Sequence, residues 1–205
     1  MGQKVNPQIL RLGTIYNWSS RWFDDKKYKD VLLEDFNLRK ALMVKLGAAG
    51  VSEIEIERSI NSLRLIINAG SGLEEIKDYL YKFLKIKKNS KTASKIDIRI
   101  EPIKEPNLDA FLVAKNISDQ LVKRLPHRRV LAQTVERVMG AGAKGIRIII
   151  SGRVGGAEIN RKEKMQKGTV PLSTIRERIA FASVPALTKK GYIGVKVWIN
   201  KGEGK

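Results

Sequence analysis

The sequence predicts an α+β protein built of two domains, and three observations lead to this prediction. Its 205 residues exceed the roughly 150 of an average domain. Helical hydrophobic stripes and strand-like alternation occur together in each half of the chain. Two prolines, Pro102 and Pro106, interrupt a strand pattern and can open a following helix. We therefore expect domains over 1–106 and 107–205.

The first domain opens with an arm, residues 1–29, that has no clean hydrophobic period. After it the predicted order is helix, strand, strand, helix, strand. The helices are expected over 34–46 and 73–84, and the strands over 52–58, 63–67 and 96–100. The apolar stripe of the first helix consists of Phe36, Leu38, Ala41, Leu42 and Leu46.

The second domain is predicted to contain two helices followed by four strands. The helices are expected over 107–125 and from Pro126 to about Met139, and the strands over 145–153, 160–170, 176–184 and 191–200. For this order, the most economical packing places both helices on one face of an antiparallel or mixed sheet.

Composition disfavours enzyme and metal chemistry and favours a polyanionic partner. The chain has no cysteine and one histidine, His127, so we expect neither a metal nor a cofactor. Its 40 Lys and Arg against 21 Asp and Glu give a net charge of +19. This charge suits nucleic acid first and an anionic membrane second. Because the sequence has no apolar span and no signal-like start, we expect a cytosolic protein without a membrane partner.

Positive charge is concentrated in the second domain. Up to Glu105 there are 20 basic and 14 acidic residues, and after it there are 20 and 7, so the net charges are +6 and +13. The densest stretch, 123–167, has 12 basic and 3 acidic residues. Within it, Arg153 and the bare amides of a glycine-rich loop, 151–156, could approach phosphates, although a tight turn would use the same glycines.

Arg128 and Arg129 follow Pro126 and His127 at the start of a predicted helix. Cations at this end oppose the helix dipole, so helix stability does not explain them. An external anion would explain them, and a solvated basic turn is an equal alternative.

Two further motifs have structural explanations. The glycines of 140–145 fit G-x-G-x-x-G, but a dinucleotide site needs this motif before a helix, and here it follows one. We expect these glycines to end the helix and turn into a strand. Trp18, Trp22 and Phe23 could stack on bases, although packing of the arm against a domain is the commoner outcome.

Eight separated blocks carry a specific resemblance. They are 1–7 (MGQKVNP), 11–13 (RLG), 18–23 (WSSRWF), 108–110 (LDA), 142–145 (GAKG), 151–158 (SGRVGGAE), 170–172 (VPL) and 191–198 (GYIGVKVW). In this order they resemble the family of the third protein of the small ribosomal subunit, of bacterial or organellar type. The resemblance implies an N-terminal type II K-homology domain, a C-terminal α+β domain and a structural role in the ribosomal head.

The resemblance also implies partners and site residues. The partners are small-subunit rRNA, mRNA and the small-subunit ribosomal proteins ten and fourteen, and the chain is not expected to form a free homo-oligomer. Arg128 and Arg129 match family positions that line the channel through which mRNA enters. The residues expected to contact rRNA are Lys4, Arg11, Arg21, Arg153, Arg161, Lys164, Arg176 and Lys196.

The chain departs from the family's pattern at two places. Ala132 and Gln133 stand where the family often has Lys or Arg, so we expect a weaker grip on structured mRNA. The chain also passes from Gly72 directly into the helix at Leu73, without the G-x-x-G loop that clamps single-stranded RNA in K-homology domains. A K-homology RNA site is therefore not expected.

Two rival functions remain open at this point. A nuclease or lyase would need clustered carboxylates for metal ions, and those of the basic half are few and scattered. A free single-strand binder or chaperone would use the same charge without a ribosome. Sucrose-gradient fractionation separates both from a ribosomal protein, which must migrate with small subunits.

Overall fold

The structure is a computed structural model that describes residues 4–47, 50–59, 62–69 and 95–203. The chain divides into two compact units, one of Trp18–Lys104 and one that combines Met1–Asn17 with Glu105–Lys205. The second unit thus contains the start of the arm, including the short helix α1 (Pro7–Leu10), which the sequence assigned to the first domain. No helix of the described residues is long and apolar enough to span a membrane.

The unit Trp18–Lys104 has one helix and a four-stranded sheet within its described residues. The elements are β1 (Ser20–Arg21), α2 (Tyr28–Lys45), β2 (Glu53–Ser59), β3 (Ser62–Ala69) and β4 (Lys95–Pro102). The strand order is β1-β2-β3-β4, with β2 antiparallel to β3 and the outer pairs parallel. The predicted hairpin is confirmed, since Ile54 pairs with Ile67 and Ile56 with Leu65. The second predicted helix, 73–84, and the turn before it lie outside the described residues.

The core of this unit packs α2 against the isoleucine-rich face of the sheet. Leu38 and Leu42 are fully buried, as the predicted stripe requires, but Phe36 of that stripe is 62% exposed. Asp35 is buried in its place, at 1% exposure. Its carboxylate accepts hydrogen bonds from Trp22 Nε1 at 2.8 Å and from Arg58 Nε at 2.7 Å. These hydrogen bonds hold Asp35 on the inner side of α2, and Phe36, the next residue, lies on the outer side.

The second unit places two helices on one face of an antiparallel sheet, as predicted. After a 3-10 turn (Pro106–Leu108), its elements are α3 (Ala110–Val122), α4 (His127–Gly140), β5 (Gly145–Gly152), β6 (Arg161–Gly168), β7 (Glu177–Thr188) and β8 (Gly191–Glu203). The strand order is β6-β5-β8-β7. Helix α3 begins at Ala110 because Asp109 Oδ1 accepts hydrogen bonds from the amides of Phe111 and Leu112, at 2.9 and 3.1 Å.

Alternation along the strands fixes which sheet face meets the helices. Ile146, Ile148 and Ile150 of β5 are fully buried in the main core, together with side chains of α3 and α4. The opposite face carries a smaller apolar cluster that includes Trp198 and Ile179. Alternate residues of each strand therefore point either towards the helices or towards the outer face of the sheet.

Arg11 joins the start of the arm to the outer side of this sheet. Its side chain is fully buried, although it was expected to contact rRNA. The guanidinium donates to backbone carbonyls of Glu177 (2.8 Å), Thr174 (2.8 Å), Pro7 (2.9 Å), Leu172 (3.1 Å) and Pro171 (3.3 Å). That expectation is corrected: Arg11 is a structural residue, because its donors are used within the protein and no surface of it meets solvent.

Replacing Arg11 with Ala is expected to lower the free energy of unfolding by about 3 kcal/mol, because several partly buried carbonyls lose their donor. Arg11→Lys should lower the free energy of unfolding by nearly as much, since a single ammonium group cannot reach all the carbonyls that surround the three guanidinium nitrogens. Urea denaturation measures both. The exposed Arg176→Ala is the matched control, expected within about 0.5 kcal/mol of the unmodified chain. Unchanged stability of Arg11→Ala would show that this side chain does not hold the arm.

Candidate nucleic-acid interface

The remaining residues expected to bind RNA are exposed, but they differ in whether their charge is free. In the unit Trp18–Lys104, Arg21 forms ion pairs with Glu55 at 2.5 Å and Glu57 at 3.0 Å. Two carboxylates therefore already balance the guanidinium, and a phosphate would have to displace them. In the other unit, the residues that were expected to bind RNA and are exposed are Lys4, Arg128, Arg129, Arg153, Arg161, Lys164, Arg176 and Lys196.

Lys164 and Lys196 are brought together on the outer face of the sheet. Both pair with Ile149 of the central strand β5, from β6 on one side and β8 on the other. Directly paired residues point to the same face, so the two ammonium groups flank Ile149, with their strands about 10 Å apart. Ser183 of β7 extends the same row beyond Lys196. One row thus carries two cations and a hydroxyl on a rigid, flat surface.

The next row of this face adds a cation that the sequence did not single out. Lys162 of β6 pairs with Ser151 of β5, which also pairs with Gly194 of β8. Residues two positions apart in a strand point to the same face of the sheet, so Lys162 lies beside Lys164 on the outer side. Alternation within β6 could have predicted this pair, whereas the approach of Lys196 required the register of β8.

Arg128 and Arg129 occupy the first turn of α4, as predicted. Pro126 precedes the helix and makes no side-chain cap, so it leaves the free amides of the first turn without that partner. Within the part of the chain that the structure describes, neither arginine takes part in an ion pair. Their neighbour His127 is different, with Nε2 at 2.9 Å from Glu163 Oε2.

The glycine-rich loop after β5 forms a tight turn that two cations hold. Gly155 and Gly156 have φ values of +66° and +83°, which favour glycine. Arg153 Nε donates to the carbonyl of Ala157 at 3.0 Å, and Lys190 Nζ donates to that of Gly156 at 3.0 Å. The turn therefore accounts for the glycines, while the exposed guanidinium of Arg153 keeps its other donors.

This turn forms one wall of a cleft of about 590 Å³. The other walls are the α3–α4 connection and the β7–β8 turn. The cleft is lined by four cationic side chains, Arg124, Arg153, Lys189 and Lys190, and the described residues lining it include no carboxylate. Only Arg153 among these four was expected at a site. Arg124 and Lys190 are 66 positions apart, and they come together because α3, which ends beside Arg124, packs on β7 and β8, which the turn at Lys190 connects.

Arg124 has an unusual backbone conformation. Among the residues that the structure describes, it is the only non-glycine with a positive φ, at +60°. It ends α3 in a Schellman motif, in which its amide donates to Leu121 O at 3.0 Å and the Leu125 amide donates to Gln120 O at 3.2 Å. Glycine normally occupies this left-handed position.

Helix α4 ends in the same motif with the usual residue. Gly142, at φ +92°, donates its amide to Met139 O at 3.1 Å, and Ala143 donates to Val138 O at 3.4 Å. Farther along, a Cβ on Gly145 would lie 2.3 Å from the Thr169 carbonyl oxygen, so close backbone approach requires glycine there. The prediction that the glycines of 140–145 end a helix and turn into a strand is thus confirmed.

Arg124→Gly is expected to raise the free energy of unfolding by about 0.5–1 kcal/mol, because glycine adopts the left-handed conformation without the steric cost that an L side chain pays. Thermal denaturation should show a melting temperature a few degrees higher. Lys123→Gly, one residue earlier at the C-cap with ordinary φ, is the control and should destabilise. A loss of stability in Arg124→Gly would mean that the arginine side chain contributes more to folding than its conformation costs.

The chain is similar in sequence to proteins of one known family. The family model described as ribosomal protein S3, C-terminal domain, matches residues 117–199. Over 99% of its length, the chain is 44% identical to small ribosomal subunit protein uS3 of Finegoldia magna, 45% to that of Desulfitobacterium hafniense and 44% to that of Lactobacillus helveticus. These alignments cover 84%, 94% and 92% of the relatives. The chain therefore belongs to the uS3 family of small ribosomal subunit proteins, which are structural proteins and not enzymes.

Proposed function

We propose that this chain is a structural component of the small ribosomal subunit, located in its head, and that it binds small-subunit rRNA through the unit that contains Glu105–Lys205. The observation that carries this proposal is the set of exposed cations on that unit, with a net charge of +13 over residues 106–205. Phosphate contacts position a protein on RNA without reading its sequence, which suits a permanent scaffold.

The outer sheet face is the proposed rRNA platform. Lys162, Lys164 and Lys196 project from paired strands, so their spacing is fixed before RNA arrives. Ordering a flexible side chain costs affinity, and cations whose backbone positions are already fixed lose less entropy on binding. Arg161 at the start of β6 and Arg176 just before β7 are exposed and are proposed to contact rRNA at the margins.

Replacing Lys164 and Lys196 together with Ala is expected to weaken binding to a small-subunit rRNA fragment and to reduce the salt slope by about 2, because about one counterion is released per phosphate neutralised. Filter binding between about 50 and 200 mM salt measures the slope. The matched control replaces Lys29 and Lys40, two exposed lysines of the other unit, and should leave the slope unchanged. Equal slopes for both double variants would remove the sheet face from the proposal.

The start of α4 is proposed to face mRNA in the channel through which it enters the small subunit. Arg128 and Arg129 are exposed there, and each guanidinium can hold a phosphate by two parallel hydrogen bonds whatever the base sequence. One turn farther along, Ala132 is half-buried and Gln133 is exposed. This chain therefore presents two arginines in the first turn of the helix and no cation at 132 and 133, where relatives often present one, and its grip on structured mRNA is proposed to be weaker.

Replacing Arg128 and Arg129 together with Ala should leave the melting temperature unchanged or slightly raised, because it removes cations from the positive end of a helix dipole. Ribosome assembly, followed by sucrose gradients, should be intact, while initiation on structured messages falls more than on unstructured ones. Gln133→Lys should have the opposite effect on structured messages. Failure of the double variant to enter small subunits would identify the two arginines as rRNA anchors.

Protein contact is proposed for the unit Trp18–Lys104. Leu32, Leu33, Phe36 and Val44 are 46–78% exposed on one face of α2, which is unusual for large apolar side chains. Phe23, at 88% exposure, also lies in this unit. These residues support docking against the small-subunit ribosomal proteins ten and fourteen more directly than a K-homology RNA site, which we do not propose.

A further inference from the structure

The cleft at the α3–α4 connection is lined by both apolar and cationic side chains, and a site for phosphate alone does not require the apolar ones. Its floor is apolar: Leu121 and Ile193 extend from the core, at 7% and 5% exposure, and Leu125 is 48% exposed beside them. The four cations stand around this floor. A site for phosphate alone would need only the cations, and an apolar patch alone would not need them.

The cations of the cleft are partly oriented before any ligand binds. Arg153 and Lys190 each use one donor on a carbonyl of the glycine turn, which holds the side chain and leaves the remaining donors free. Arg124 projects from a left-handed residue whose conformation is costly for any side chain. Glu163 is paired with His127, which also lines the cleft.

We propose that this cleft holds one unstacked nucleotide of RNA, with its phosphate on Arg124, Arg153 and Lys190 and its base on the apolar floor. The volume of about 590 Å³ lies within the roughly 300–1,000 Å³ of ligand clefts. Proteins recognise RNA largely at loops and bulges, where bases can leave the stack, whereas paired bases cannot enter a cleft. This inference rests on the proposed RNA-binding function and adds to it a distinct site and a preference for bulged RNA.

The test uses the full chain and three RNA hairpins of one stem sequence. The first carries a single bulged nucleotide, the second has an abasic residue at the bulge, and the third is fully paired. Fluorescence anisotropy at fixed salt measures the dissociation constants. The bulged hairpin should bind about 5-fold more tightly than either of the others, because a base that lies on the aliphatic floor removes apolar surface from water.

Two cleft variants and two matched controls test whether the preference for the bulged hairpin arises in the cleft. Arg124→Gln and Leu125→Ser should each reduce it to less than about 2-fold, the first because the base stays in the cleft only while its phosphate is anchored, and the second because the apolar floor is lost. Lys123→Gln removes the same charge one residue away, outside the cleft lining, and should weaken all three hairpins equally. Leu187→Ser alters another exposed leucine outside the lining and should change nothing.

The outcomes separate this inference from the function on which it rests. Equal affinity for all three hairpins, with a steep salt dependence, overturns the nucleotide site and leaves the proposed rRNA binding intact. A preference that survives both cleft variants also overturns it. No binding to any hairpin would count against both proposals. Displacement of the bulged hairpin by 1 mM adenosine monophosphate, but not by 1 mM inorganic phosphate, would support the nucleotide site, whereas equal displacement by both would show a site for phosphate alone and overturn it.

Discussion

The buried guanidinium of Arg11 is the interaction on which the outer side of the second unit depends. It donates to carbonyls of both α1 and the segment that leads into β7, and so satisfies acceptors of two stretches that are far apart in sequence. Arg178 adds a contact over the Tyr16 ring, with the guanidinium carbon 5.9 Å from its centroid. The segment that Arg11 holds includes Leu172, which packs on the apolar cluster around Trp198, while Lys162, Lys164 and Lys196 lie elsewhere on the same face of the sheet.

The chain uses its cations in two ways, and net charge alone does not distinguish them. Arg11 and Arg58 are committed to internal carbonyls or to buried Asp35, so removing them should cost stability. Arg128, Lys164 and Lys196 stand on a unit with few acids, where like charges repel and stability gains nothing from them. A polyanion that supplies the missing negative charge explains why the second group is present.

Sequence alone predicted the local elements well and the long-range contacts poorly. Alternation at Ile54 and Ile56 fixed the hairpin, and the glycines of 140–145 fixed the end of α4, because both signals are contained in a few neighbouring residues. Periodicity also placed Phe36 in the core, where Asp35 turned inward for partners elsewhere in the chain. The fate of Arg11 depended on acceptors about 160 positions away, and no local pattern records such acceptors.

The two helix ends of the second unit differ in the residue that takes the left-handed conformation. The chain builds the same Schellman motif twice, once with Gly142 and once with Arg124, so the fold itself tolerates glycine at such a position. An arginine there costs about 1 kcal/mol relative to glycine, which corresponds to about a 5-fold change in an equilibrium constant. The nucleotide proposed for the cleft would offset this cost when it binds. Among the described residues its guanidinium makes no ion pair, but it lines a carboxylate-free cleft, so the compensating interaction is expected to come from a bound anion.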